Sequence, residues 1–203
     1  MTWQSYETLF KGVGDRRLRH VLVIAAHLED LLRYCAGTVL VLTRRNVRVD
    51  LLVVAGDEPG AHELGVSDAR GLAHRALALP DEDTLRGELV RHIRLVQPEV
   101  VVTVDPTPVL RQHPDHRRVA RAALDAAWPY AGAAQAHPDA GPAHQPKEAW
   151  LYSGPEPDLF VPLDDELRET LAGLGRPDWQ DTPEERFVQV DFRPRPGAEV
   201  GEP

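Results

Sequence analysis

Cysteine is almost missing from this 203-residue chain, with Cys35 the only one. A single thiol excludes an internal disulfide and any cysteine-rich metal site. Its neighbours Leu31, Leu32 and Tyr34 place it in a helix interior, where it is expected to serve packing. Lysine occurs only at Lys11 and Lys147, so nearly all of the 23 cationic side chains are arginine. With the abundant alanine, proline and glycine, this usage points to a GC-rich bacterial genome. No stretch approaches the ~20 uninterrupted apolar residues that span a bilayer. The first twenty residues lack the basic, apolar and small-residue succession of a secretory leader. A cytoplasmic protein that does not engage membranes is therefore expected. Positive charge is also in deficit: 32 acidic residues against 23 basic ones leave a net charge of −9. That excludes a general nucleic-acid binder, whose affinity would rest on clustered cations.

What is present is ordinary for a globular chain, with 42% hydrophobic and 27% charged residues. The length suits one domain over residues 1–203, with a core at about 20–162 and a flexible tail from Arg193. Val21 to Ala26 is continuously apolar, the pattern of a central parallel strand covered on both faces. Val49 to Ala55 and Val100 to Val104 read the same way. Helices are expected from about Asp30 to Arg44, over Glu82 to Val96, and from about Pro114 to Ala127. Pro98 separates the second helix from the third strand. Gly56 to Gly65 and residues 129–147 read as loops. Glu148 to Tyr152, Leu159 to Pro162 and Phe187 to Phe192 suit short strands, with a helix near Asp164 to Leu174. Strands alternating with helices imply a Rossmann-like, mostly parallel sheet with helices on both faces. The stretch at Gly37 lacks a G-x-G-x-x-G fingerprint, so Gly37 reads as a close-packing glycine.

Two clusters carry the chemistry. His27-Leu28-Glu29-Asp30 directly follows the first strand, and His113-Pro114-Asp115-His116 follows the strand that ends near Asp105. In an open α/β sheet, ligands bind outside the carboxyl ends of the strands. Both clusters are therefore expected to meet at one edge. Two imidazoles and a carboxylate suit zinc and leave a coordination position open. His27, Asp30 and His116 are the candidate ligands. Glu29 is placed to act as a general base, and His113 to stabilise an oxyanion. His20, His62, His74, His92, His137 and His144 read as surface or loop residues. Phe10, Trp128 and Tyr130 read as core packing.

At these residues the chain resembles the LmbE-like, or PIG-L, family of N-acetylglucosaminyl deacetylases. The family's first motif, A-H-P-D-D-E, corresponds to Ala26-His27-Leu28-Glu29-Asp30-Leu31, and its G-G-T to Ala36-Gly37-Thr38. The second motif, H-P-D-H, is intact at His113 to His116. The similarity runs from about residue 20 to 128 and more loosely to Val161. It implies a zinc-dependent N-deacetylase of LmbE-like fold acting on a small-molecule substrate, with the assignments above. It also implies that Asp115 orients an imidazole. Leu28, Glu29 and Leu31 stand where the family has proline, aspartate and glutamate. The segment before Leu64-Gly65-Val66 is shorter than the family's.

Two other readings fit the residues. Two histidines and a carboxylate also hold Fe²⁺ in non-haem oxygenases, though those space the first two ligands H-x-D/E rather than H-x-x-D. The other is a degenerate member that binds a ligand or partner without hydrolysis. The sequence does not set the oligomeric state.

Overall fold

The computed structural model describes residues 18–56, 62–107, 113–174 and 182–192. Phe10 and the tail from Arg193 lie outside them. Seven strands form one sheet: β1 (His20–Ala25), β2 (Arg48–Ala55), β3 (Asp68–His74), β4 (Val100–Val104), β5 (Glu148–Tyr152), β6 (Leu159–Pro162) and β7 (Glu184–Asp191). Their order is β3-β2-β1-β4-β5-β7-β6. The first five are parallel, while β7 runs antiparallel to both β5 and β6. The expected Rossmann-like architecture is the one observed. No helix among the described residues is long and apolar enough to cross a membrane.

Strand alternation divides the core into two layers. Val21 and Val23 pack with α1 (Leu28–Tyr34), α2 (Ala36–Arg44) and the later helix Asp165–Gly173. Leu22 and Ile24 point the other way, towards α3 (Glu82–Val96) and α4 (Pro114–Asp125). Both faces of β1 are thus covered, which is why the strand is apolar without alternation. The helix α5 (Asp165–Gly173) packs against α2, which is why α2 is buried from Ala36 to Leu42.

The single helix expected from Asp30 to Arg44 is broken at Cys35, whose backbone is non-helical at φ −148° and ψ 11°. The cause is Glu185 on β7. Its carboxylate accepts the N–H groups of Gly37 and Thr38 at 2.8 and 2.6 Å and the Thr38 hydroxyl at 2.5 Å. A helix start leaves such N–H groups unpaired, and here a carboxylate 148 and 147 residues away takes two of them. A side chain at Gly37 would collide with Leu163, so the close-packing reading of that glycine holds. Cys35 is fully buried, as expected.

Other expectations are corrected. β3 was not legible as a strand, being polar and paired with β2 alone. Trp128 is 54% exposed and stacks on Phe192 instead of packing in the core. Tyr130 is half-buried beneath the Arg86 guanidinium, 4.3 Å from its ring centroid. His92 is buried rather than superficial, and burial lowers its pKa. His20 is half-buried and hydrogen-bonded to Asp50 at 2.9 Å.

A kinked turn at Ala126–Tyr130 leads into residues 129–147, which hold a short 3-10 helix at Pro138–Ala140 and are otherwise irregular. They are organised by Arg94, which is only 2% exposed. Its guanidinium donates to the carbonyls of Tyr130, Ala131, Ala133, Ala136, His137 and Gly141. Among the described residues no carboxylate is hydrogen-bonded to it, and six carbonyl dipoles share the work of holding the charge. Arg94→Met would keep the stem and strand those acceptors. A loss of about 3 kcal/mol or more in urea unfolding is expected.

Glu185 gives a pH-dependent prediction. Burial, the largest influence, raises its pKa from 4.5 to about 7, against the hydrogen bonds that favour the ionised form. Between those pH values the folded chain holds a proton that the unfolded chain releases. Its contribution to stability is therefore full below pH 4.5 and lost as pH rises through about 7. Chemical denaturation of wild type and Glu185→Gln across this window should show the wild type losing on the order of 3 kcal/mol relative to the variant. Parallel profiles would remove Glu185 from this role.

Candidate metal centre

β1 lies between β2 and β4, so the chain leaves the sheet on either side of the position where the strand order reverses. After β1, Ala26 and His27 turn directly into α1. The His27 N–H donates to the Asp30 carboxylate at 2.9 Å, and Asp30 N–H donates to the His27 carbonyl at 3.1 Å. These reciprocal bonds set the imidazole and the carboxylate on the same side of the turn. After β4, Asp105 closes its own turn by accepting the Thr107 N–H at 2.7 Å and hydroxyl at 2.6 Å. Pro114 then opens α4, with His113 as its cap accepting the Asp115 N–H at Nδ1, 3.2 Å away.

All six residues singled out by the sequence come to one edge. The three imidazoles of His27, His113 and His116 have ring centroids 5.3 to 5.6 Å apart. Ligand atoms of His27, Asp30 and His116 lie within 4.8 Å of one another. His116 Nε2 is 3.0 Å from one Asp30 oxygen, and His27 Nδ1 is 3.6 Å from the other. Ligands bonded to one tetrahedral zinc at ~2.0 to 2.1 Å stand roughly 3.3 Å apart. The donor set and its spacing therefore fit such an ion.

His27, His113 and Asp115 form a second close group, which orientation of His27 explains. Asp115 Oδ2 lies 3.1 Å from His27 Nε2 and accepts the Leu77 N–H at 2.9 Å. A buried carboxylate there favours a proton on Nε2 and leaves the Nδ1 lone pair for a metal. On His113, Nδ1 is occupied as an acceptor, which leaves Nε2 as the donor available to a ligand. His113 is exposed.

These residues open into a crevice of about 630 Å³, lined by His27, Leu28, Glu29, Asp30, Arg33, His113 and His116. Glu29 is exposed in the first turn of α1, beside the ligand group. None of residues 129–147 lines it. Sequence reasoning missed Arg33 and Leu77. Arg33 could have been found as one helical turn beyond Glu29, whereas Leu77 acts through its backbone and left no side-chain signal.

A family model, that of the GlcNAc-PI de-N-acetylases (PIG-L), matches residues 57–127. It bears out the resemblance over the segment holding the second motif. A comparison with proteins of curated function gives no match. Among solved structures, the fold is similar to N,N′-diacetylchitobiose deacetylase from Pyrococcus horikoshii, with TM-score 0.74, 19% identity and 94% of each chain covered. It is also similar to the 4-carboxy-2-hydroxymuconate hydratase GalB from Pseudomonas putida, with TM-score 0.67, 13% identity, and 90% of this chain and 100% of that one covered. The A40926 pseudoaglycone deacetylase Dbv21 aligns with TM-score 0.57 at 15% identity, covering 86% of this chain and 98% of that one.

Asp115→Asn would keep the shape of the group that meets His27 but remove its charge. Zinc affinity, measured by competition with a chromophoric chelator, should fall roughly ten- to a hundredfold. An unchanged affinity would detach Asp115 from the metal centre.

Proposed function

We propose that this chain, similar to the PIG-L deacetylases in motif and fold, is a zinc-dependent hydrolase. It removes an acyl group, acetyl in the simplest case, from the amide nitrogen of an amino-sugar-like small molecule. The observation that carries the reading is the meeting of His27, Asp30 and His116 donor atoms within 4.8 Å. They come from two distant segments at the carboxyl edge of the sheet. The family model and the deacetylases among the structural neighbours support it.

His27, Asp30 and His116 would hold the ion. Zinc, when bound, supplies a Lewis acid and brings the pKa of a coordinated water down to ~7. Glu29 takes a proton from the attacking water as its oxygen bonds to the amide carbon, then returns it to the departing nitrogen as the C–N bond breaks. His113 directs its Nε2 donor at the oxyanion that develops on the carbonyl oxygen. Asp115 keeps His27 in the tautomer that offers Nδ1 to the ion. Arg33, exposed at the crevice wall, adds positive charge to a site otherwise rich in carboxylates.

The test separates metal from chemistry. Protein purified without chelator should carry close to one zinc per chain by plasma mass spectrometry, and His116→Ala should lose it. Glu29→Gln should keep the metal and lose at least about a hundredfold in turnover of N-acetylglucosamine or N,N′-diacetylchitobiose. Zinc retained in His116→Ala, or turnover retained in Glu29→Gln, would withdraw the corresponding assignment. A chain that binds no zinc after reconstitution would reduce the reading to a shared fold.

A further inference from the structure

A second hollow lies at the same edge of the sheet, beside the metal crevice. Its volume is about 300 Å³, and its walls include Arg33, Tyr34, Pro155, Pro157, Glu184 and Arg186. β7 runs antiparallel to β5, with Phe187 opposite Tyr152, the last residue of β5. Glu184 and Arg186 therefore lie beyond the carboxyl end of β5, on the edge where His27 and His116 meet. Among the described residues, Arg33 alone lines both hollows. Tyr34 follows it on α1, four residues past Asp30, which is about 6 Å along the helix axis. That separation is short enough for one small molecule to occupy both.

The walls indicate what the hollow takes. The Glu184 side chain is only 7% exposed. Its Oε1 accepts from Arg186 Nε at 2.9 Å, while Oε2 is buried with no hydrogen-bond partner. An ionised carboxylate offers about four acceptor positions, so most of its capacity is unused. Buried polar groups are ordinarily paired, and an orphaned carboxylate oxygen in the wall of a hollow calls for a donor from outside the chain. Arg33 and Arg186 narrow the nature of that donor. Their guanidinium groups disfavour an ammonium ligand and supply hydrogen-bond donors of their own. Tyr34, stacked on Tyr152 with ring centroids 5.1 Å apart, and the two proline rings add flat apolar surface. Acceptor, donors and flat apolar surface together match a polyhydroxylated ring. Its hydroxyls both give and accept hydrogen bonds, and its C–H faces are apolar.

We propose that this hollow is a second subsite, which takes a polyhydroxylated ring joined to the amide-bearing sugar, with Glu184 and Arg186 as its specificity-determining residues. This rests on the amidase reading and narrows its substrate class to amides carrying a second hydroxylated ring. In a 2-acetamido sugar the carbon bearing the amide adjoins the anomeric carbon. A ring attached there lies beside the metal centre, and its hydroxyls enter the hollow. The ring is that of a second hexose or of a cyclitol, and the substrates below distinguish the two.

Wild type is compared with Glu184→Leu, which keeps the bulk and removes the acceptors, and with Arg186→Met, which keeps the stem and removes the donors. Arg186 is 61% exposed, so Arg186→Met decides the matter should Glu184→Leu fail to fold. The substrates are N-acetylglucosaminyl-glucose, N-acetylglucosaminyl-inositol and the cyclohexyl glycoside of N-acetylglucosamine, which has the ring without its hydroxyls. Each kcat/KM is taken as a ratio to that of the methyl glycoside. In wild type the glucose or the inositol ratio should exceed the cyclohexyl ratio about tenfold, and the one that does identifies the ring. The excess should vanish in both variants. Dissociation constants of the same four compounds, measured by calorimetry on zinc-loaded Glu29→Gln, with and without Arg186→Met, should show the same preference. If amides are cleaved but neither hydroxylated ring is preferred, or the preference survives in a folded variant, the subsite proposal is wrong and the amidase reading stands. If no amide is cleaved yet an Arg186-dependent binding preference remains, the amidase reading fails and the subsite survives. Neither cleavage nor preference would overturn both.

Discussion

The parallel pairing of β1 with β4 is the contact on which the site depends. The two strands run in register from Val21 beside Val100 to Val23 beside Val102. They therefore end at the same edge, although almost eighty residues separate them in the chain. Because β2 occupies the other side of β1, the chain leaving β1 and the chain leaving β4 go to different faces. A gap opens between the two exits, and residues in the turn after a strand or at the start of the following helix can reach into it. His27 is two residues beyond β1. On the other side, α4 begins with Pro114 and so aims His113 and His116 back at the gap. A register slip in either strand would turn the exiting residues to the wrong face and disperse the centre.

Buried carboxylates are the second recurring device. Asp30 joins the turn after β1 to His116 on α4, Asp115 joins α4 to His27 and to the turn at Leu77, and Glu185 joins β7 to the start of α2. Each crosses between elements distant in sequence. Each is also matched to donors in the backbone or on imidazoles, which is what makes a buried acid tolerable. The same arrangement anchors the candidate site residues and locks the elements that carry them. Chemistry and stability at this edge are accordingly hard to separate by mutation, so metal content and turnover must be read independently.

Legibility in the sequence followed how local the cause was. The strands β1, β2 and β4 were readable because their neighbours on both faces demand apolar residues at every position. The candidate site was readable because His27 and Asp30, and likewise His113 and His116, lie three residues apart within a single turn. The break at Cys35 was not, since its cause is Glu185, far along the chain. β3 was not, because residues such as Asp68, Arg70 and His74 show neither strand alternation nor an apolar run. Its strand character comes from pairing with β2 rather than from its own side chains. Leu77 escaped because an N–H is common to almost every residue, and only the fold reveals which N–H is aimed at a carboxylate.

Arg94 has a consequence for how the chain comes to be made. It sits on α3, but the carbonyls that accept from it lie between Tyr130 and Gly141. While the ribosome is still synthesising that later stretch, α3 carries a guanidinium whose position in the finished core has no acceptors yet. Docking of α3 onto the sheet would then bury a naked cation, which is strongly unfavourable. The face holding α3 and α4 is therefore expected to close only after residue 141 has emerged. The opposite face has a separate late requirement in β7 and its Glu185. Both layers thus wait on later segments of the chain, and the edge between them, which holds the candidate metal centre, is completed only once those segments have emerged.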